Sequence, residues 1–335
     1  MISLVIPVYK NSGNIAPLLA TLEEVQQKLP VPLEVVFVVD GSPDDSYLRL
    51  AAALPKSKLR SQLALLSRNF GAFSAIRAGL ELGHGELFAV MAADLQEPPE
   101  LLIDFVEKLR DESIDVVVAR RLSRSDPLMS RLMAEVFWWF YRRLVQPQMP
   151  EGGVDAFACR RRVRDQILVL CEQNSSLVGL LYWVGFRRGE VTYERRAREV
   201  GTSAWTFTKK LRYLSDSIYG FTDLPIRLLT TVGTVGLILS VLFGIGVAIA
   251  KLSGRIAVPG YSATVVLISF FGTLNCLGIG VLGGYLWRTF ENTKGRPNYI
   301  VASHNEYGAA PPKSQSQPNE PIEITASKPR VRGHG

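Results

Sequence analysis

Two uninterrupted apolar runs near the C-terminus constrain the fold most. From Leu228 to Ala250 the chain carries no charged residue, and from Ile256 to Trp287 it again carries none. Each run exceeds the roughly 20 residues that cross a bilayer core. Two such runs in close succession are unusual in a soluble domain, where the competing reading is a pair of buried core helices. They are expected to form two transmembrane helices within 226–290, spanning about 228–250 and 263–287. Lys209, Lys210, Arg212 and Arg227 precede the pair, Arg288, Lys294 and Arg296 follow it, and the connection holds only Lys251 and Arg255. This asymmetry predicts that both ends lie on the cytoplasmic side.

The remaining sequence reads as α/β. Strands are predicted at Ser3–Val8, Leu33–Val39, Gln62–Leu66, Glu86–Ala92 and Asp115–Ala119. Helices are predicted at Asn14–Lys28, from Asp44 or Asp45 to about Leu54, and at Ala72–Leu82 and Glu100–Arg110. The βαβα series argues a parallel sheet with helices on both faces. After Arg124 the pattern changes. Met129–Val145 reads as a helix bearing Phe137, Trp138, Trp139, Phe140 and Tyr141 with Arg131, Arg142 and Arg143, suited either to lipid headgroups or to packing on the sheet. Trp205–Leu224 has a similar mix and is expected as a juxtamembrane amphipathic helix over 206–225, with a disordered cytoplasmic tail over 303–335. The opening MISLVIPVYK reads as a strand rather than a signal peptide. Cys159, Cys171 and Cys276 form no metal or redox spacing. The net charge of +7 suits an anionic membrane or anionic substrate; no nucleic-acid-binding module is visible, so nucleic acid is not an expected partner.

The segment VMAADLQEPPEL over 90–101 carries the most chemistry. An apolar strand ends in Asp94, Gln96 follows, and Pro99 with Glu100 suits the first turn of a helix. In open α/β sheets the carboxyl ends of strands are where ligands bind. Asp94 is therefore placed to meet a metal or a substrate.

Four segments now stand in order: IPVYKNSGNI, VVDGSPDDS, LSRNFGAFSAIRAG and MAADLQEPPEL. Together they resemble the family 2 inverting glycosyltransferases. The two C-terminal spans narrow the likeness to the polyprenyl-phosphate group, like dolichol-phosphate mannose synthase and undecaprenyl-phosphate glucosyltransferases, over roughly residues 1–300. The resemblance implies a GT-A fold: a Rossmann-like, mostly parallel catalytic sheet over 1–205, followed by interfacial helices and the two-helix transmembrane hairpin. It implies transfer of a sugar from a nucleotide-diphosphate-sugar to a membrane polyprenyl phosphate, and a bacterial inner-membrane location with the catalytic domain cytoplasmic.

Site residues follow from the same likeness. Pro7, Tyr9, Asp40 and Arg68 match the nucleotide-binding positions; for Asp40 a turn role in Asp-Gly-Ser-Pro is the competing reading. Asp94 and Gln96 match the ligands of Mg²⁺ or Mn²⁺, oxygen-seeking cations that a single carboxylate plus phosphates can hold. Asp155 in GGVDAFACRRR matches the catalytic acid, against a capping or turn role. Arg121, Arg124 and Arg131 match acceptor-phosphate positions, where a guanidinium grips two oxygens, against a role as solvated or headgroup-anchoring charges. Arg198, Gly201 and Ser203 match a loop that closes over the donor.

Two positions depart from the pattern. Ala92 stands where the first acid of an Asp-x-Asp motif is usual, and Ala204 where the loop has lysine. One change subtracts a negative charge and the other a positive one. The alternative reading is therefore a catalytically impaired, membrane-anchored sugar-nucleotide-binding scaffold. A processive polysaccharide synthase is disfavoured by the small number of spans and the lack of a Gln-x-x-Arg-Trp motif, and a transporter by spans without charge. Gly280 and Gly284 suit close helix packing or homo-oligomerisation, or are ordinary membrane-helix glycines.

Overall fold

The structure, a computed structural model, describes residues 1–122, 139, 141–143, 146–149, 154–170, 172, 175–196, 207–253 and 260–308. Among them, β1 (Ile2–Val8), β2 (Leu33–Val39), β3 (Arg60–Leu66), β4 (Leu87–Val90), β5 (Val116–Arg121), β6 (Phe157–Arg160), β7 (Arg188–Tyr193) and β8 (Val301–Tyr307) form one sheet. Its order is β7-β5-β6-β4-β1-β2-β3-β8. β1 pairs in parallel with both β2 and β4, β2 with β3, and β5 with β7. β6 runs antiparallel between β4 and β5.

The central strands are near-continuous Val, Ile and Leu because both faces are covered, as parallel sheets require. α1 (Ile15–Lys28), α2 (Ser46–Ala53) and α4 (Leu101–Lys108) pack one face, on a core including Leu4, Val35, Phe37 and Phe105. α3 (Ala72–Leu82), α5 (Arg161–Val169) and α6 (Leu177–Trp183) cover the other, on Val5, Val36, Val38 and Phe88. Gly79 lets α3 approach closely, since a Cβ there would stand 2.2 Å from Val5 Cγ1. The direction of the chain reverses around β1: β2 and β3 lie to one side of it, β4 to the other. A crevice between the C-terminal ends of β1 and β4 is the expected ligand position in such a sheet.

After α7 (Phe207–Phe221) come α8 (Leu224–Leu252) and α9 (Tyr261–Thr293). At 1.5 Å per residue these reach about 43 and 50 Å, beyond a hydrocarbon core of about 30 Å. Both are long and apolar enough to cross a membrane, and their apolar windows lie almost entirely outside the protein core. Leu228, Leu239, Ile279 and Leu286 are each more than half exposed. So large a bare apolar surface suits association with a membrane.

Helix α7 joins the hairpin to the sheet domain. Its Tyr213 stacks on Tyr141 at 5.8 Å and shares a 2.9 Å hydroxyl bond with Ser176. Its Asp216 accepts from Arg288 of α9 at 2.6 Å, while Tyr219 packs edge-on against Tyr285 at 4.9 Å. Helix α7 falls within the segment expected as a juxtamembrane helix, and one of its faces is held by protein. Tyr141 is fully buried and Trp139 more than half exposed, so the two described positions of the aromatic segment that bear rings face different ways. A Cβ at Gly284 would lie 3.1 Å from the Tyr219 ring, whereas one at Gly280 would meet nothing within 4 Å. Gly284 thus serves a contact inside the chain.

The sheet is mostly parallel as expected, with β6 and β8 antiparallel. One expectation is corrected. The tail expected from 303 begins as strand: β8 pairs with β3 from Ser61↔Tyr307 to Leu66↔Val301. Its sequence VASHNEY lacks an apolar alternation because it is a largely exposed edge. The sheet domain therefore includes residues on both sides of the hairpin in sequence.

Candidate active site

The site assembles at the C-terminal ends of β1, β2, β4, β5 and β7. Among the described residues, Lys10 and Leu95 are the only non-glycine residues with positive φ, at 55° and 56°. They follow β1 and β4, the two strands that flank the crevice. Left-handed backbone at such residues carries strain that surrounding structure must sustain, a pattern concentrated at functional sites.

On the β1–β2 side, Pro7 ends inside β1 and Tyr9 lies just beyond it, half-buried. The Lys10 N–H donates to Ser42 Oγ at 2.8 Å. Asp44 clamps the two turns together: its carboxylate accepts from the Ser12 N–H at 3.0 Å and the Ser42 hydroxyl at 2.6 Å. Partial burial opposes its ionisation, but these bonds with those from Ser46 prevail and hold its pKa at about 2. Asp40 is 2% exposed and accepts from the N–H groups of Phe70 at 2.7 Å and Gly71 at 2.8 Å. Burial nonetheless raises its pKa above the usual carboxylate range, with these two bonds and Arg68 opposing. Asp40 thus fixes the loop carrying Arg68, whose guanidinium lies 4.1 Å from the Phe70 ring. Gly41 is required beside it: its φ is +54°, and a Cβ would stand 2.3 Å from the backbone of Arg68.

On the β4 side, Asp94 is half-buried at the strand tip and its Oδ1 accepts from the Gln96 N–H at 3.3 Å. Gln96 Oε1, the atom with which it would ligate a cation, accepts from Arg195 at 2.5 Å. Its amide nitrogen and backbone carbonyl meet the backbone of Arg196 at 3.4 and 2.9 Å. Gln96 therefore ties the strand tip to the segment after β7. Glu97, which no local sequence pattern marks, is 3% exposed and accepts from the Ala92 N–H at 3.1 Å. Burial, then the negative charges of Asp94 and Asp155, push its pKa up to about 7. That coupling brings Asp94, Glu97 and Asp155 into one electrostatic cluster, with Arg195 as a counter-charge.

Asp155 stands just before β6. Arg121, the last residue of β5, forms an ion pair with its Oδ2, and the Tyr193 hydroxyl donates to the same oxygen at 2.9 Å. Arg121 is mostly buried, and its Nε–H finds no partner among the described residues. The residue expected to meet an acceptor phosphate thus also holds the expected catalytic acid. Arg124, Arg131, Arg198, Gly201, Ser203 and Ala204 lie outside the described residues.

For a divalent cation, the donor chemistry fits at Asp94, a partly accessible carboxylate beside other acids. Gln96 is engaged by Arg195. Among the described residues no group of three or more His, Cys, Asp or Glu side chains forms a cation site by itself. A cation here would need the oxygens of its substrate.

Comparison with known proteins finds a family and several relatives. The profile of Glycosyl transferase family 2 matches residues 3–168. The chain is 33% identical to an uncharacterized glycosyltransferase of Synechocystis sp. over 302 residues, covering 90% of this chain and 94% of that protein. It is also 33% identical to the bactoprenol glucosyl transferase of Shigella phage SfV, covering 91% of this chain and 99% of the other. Among solved structures it is similar to glucosyl-3-phosphoglycerate synthase from Mycobacterium tuberculosis in complex with Mn²⁺, UDP and phosphoglyceric acid. That likeness has a TM-score of 0.44 and 16% identity over 65% of this chain and 75% of the other.

Proposed function

The chain belongs to glycosyl transferase family 2, and on that premise we propose that it transfers a sugar from a nucleotide diphosphate to the phosphate of a membrane polyprenol, such as undecaprenyl or dolichyl phosphate. One observation carries the reading: an acid cluster at the strand tips lies at the end of the sheet from which the chain passes to two apolar helices. The last of these ends at Thr293, and β8 begins at Val301 beside the C-terminal end of β3. The Ser67 N–H donates to Ile300 O at 2.9 Å, so the linker meets the sheet at its ligand-binding edge. Similarity along nearly the whole length of a bactoprenol glucosyl transferase supports the lipid acceptor.

The donor's base and ribose lie between Tyr9, Pro7 and the loop that Asp40 fixes, with Arg68 beside them. Asp40 uses two of the roughly four acceptor positions of a carboxylate on its own chain, and the others suit a base N–H. Asp94 faces the diphosphate and would hold a Mg²⁺ or Mn²⁺ there; such a cation supplies positive charge to the leaving group. Arg195, fixed by Gln96, adds a protein cation in the same region.

A lipid phosphate monoester has a second pKa near 6 and is largely ionised at pH 7. Its oxygen attacks the anomeric carbon from the face opposite the diphosphate. The new carbon–oxygen bond forms as the bond to the β-phosphate breaks, and the electron pair leaves with the nucleoside diphosphate. Configuration inverts in one displacement. Arg121 holds the acceptor phosphate while it also pairs with Asp155. Asp155 orients that attack and takes up any remaining proton. Positioning and electrostatics supply most of the rate. Arg124 and Arg131 extend the acceptor site, and Arg198, Gly201 and Ser203 close over the donor.

The hairpin brings this chemistry to the headgroups, since an isoprenoid tail leaving the bilayer would expose apolar surface at about 25 cal/mol per Å². In this reading the catalytic domain and C-terminus lie on the cytoplasmic face, with α8 and α9 spanning. The test is to incubate purified protein, reconstituted in vesicles with a short-chain polyprenyl phosphate, with UDP- and GDP-sugars, with and without Mn²⁺ or Mg²⁺. A lipid product heavier by one sugar residue is expected with at least one donor. Failure with every donor and both cations would overturn the reading and favour the scaffold alternative.

A further inference from the structure

We propose that Tyr193 is a positioning residue for the transfer reaction: with Arg121 it grips Asp155 by Oδ2 and leaves Oδ1 to face the acceptor. The inference rests on the proposed role of Asp155.

The arrangement is built into the sheet. Arg121 and Tyr193 are the last residues of adjacent parallel strands and stand in register. Equivalent positions on paired strands send side chains to the same face. The Leu122 N–H continues the pairing to Tyr193 O at 3.0 Å. The Ala119 N–H donates to Ala156 O at 2.9 Å, which ties the residue after Asp155 to the same strand. The carboxylate and its two donors are thus fixed by one backbone frame.

The donors converge on one oxygen. Arg121 and Tyr193 both meet Oδ2, while Oδ1 has no partner among the described residues and the side chain is 31% exposed. Tyr193 is 4% exposed with its ring in the apolar core shared by α4 and β5. Burial, and then the charges of Asp155 and Glu97, raise its phenol pKa, so it remains a donor at working pH. An apolar ring alone would satisfy that core. The hydroxyl instead donates to Asp155, with Arg121 beside both groups. Fixing the working oxygen on a rigid frame is the preorganisation that transition-state positioning requires.

Tyr193→Phe removes one oxygen from a filled space. It should lower kcat roughly tenfold to a hundredfold, as loss of a hydrogen bond to a charged group does, with KM for the nucleotide sugar unchanged. The decisive comparison is a double-mutant cycle. If Tyr193 acts through Asp155, Asp155→Asn/Tyr193→Phe is no slower than Asp155→Asn alone. Additive losses, or a Tyr193→Phe enzyme with full kcat, overturn the proposal while leaving the role of Asp155 intact. A fully active Asp155→Asn enzyme overturns both. Should Tyr193→Phe lose its thermal transition, 3-fluorotyrosine at 193 alters donor strength at constant shape; an unchanged kcat there overturns the proposal.

Discussion

Asp94 and Glu97 sit three residues apart on one loop and have opposite exposures. Asp94 is partly open, and Asp94→Asn should reduce sugar transfer by about 10²-fold or more, the scale for losing a preorganised electrostatic contact, with the thermal transition unchanged. Near-normal turnover would remove Asp94 from the mechanism. Glu97 is buried, and its carboxyl holds a proton up to about 7, whereas the unfolded chain releases it near 4.5. The folded state therefore binds more protons in that window. The stability this confers is complete below about pH 4.5 and is lost as pH rises through about 7. Thermal unfolding in detergent should show this decline, and Glu97→Gln should flatten it; equal slopes would refute the assignment. The charge balance at 92 and 204 offers another check. Ala92→Asp with Ala204→Lys should restore more activity than the sum of the single changes, and a purely additive result counts against compensation between them. Asp94 was legible in the sequence because it ends an apolar strand. Glu97, Arg195 and Tyr193 were not: EPPE reads as helix-start charge and YERRAR as a polar loop. Their roles arise from contacts across the sheet, such as Arg195 with Gln96, which local pattern does not encode.

Among the elements, β1 to β5 and α1 to α4 were readable because strand and helix periodicities alternate cleanly there, and the predicted bounds fall within a few residues of those observed. β6 and β8 were not readable. FACR is short and precedes an arginine run, and VASHNEY is polar because it is an exposed edge. β8 has a clear structural task all the same. Tyr47 bonds Ser303 at 3.1 Å and His304 bonds Gln62 at 2.7 Å, so the strand is anchored by side chains as well as by pairing. Ending the chain at residue 299 should uncover β3 and lower the thermal transition by several degrees, given that about 1 kcal/mol shifts a midpoint by roughly 2–4 °C in a chain of this class. Ending it at residue 308 should leave the transition in place. Equal transitions for the two truncations would show that β8 contributes nothing to the domain.

Across the described residues, the hairpin and the sheet are tied through α7, which grips α9 by Asp216 and Arg288, and through β8, which resumes the sheet after α9. The apolar runs made the hairpin legible from composition alone. Its connection to the catalytic edge was not, because that depends on the return strand. This arrangement supports a central claim that a lipid phosphate attacks a soluble sugar donor by one in-line displacement at the strand tips. The most direct measurement is the anomeric configuration of the lipid-linked product, read by NMR after transfer from a donor of known α linkage. A single in-line displacement predicts a β-linked sugar phosphate; an α-linked product would contradict it.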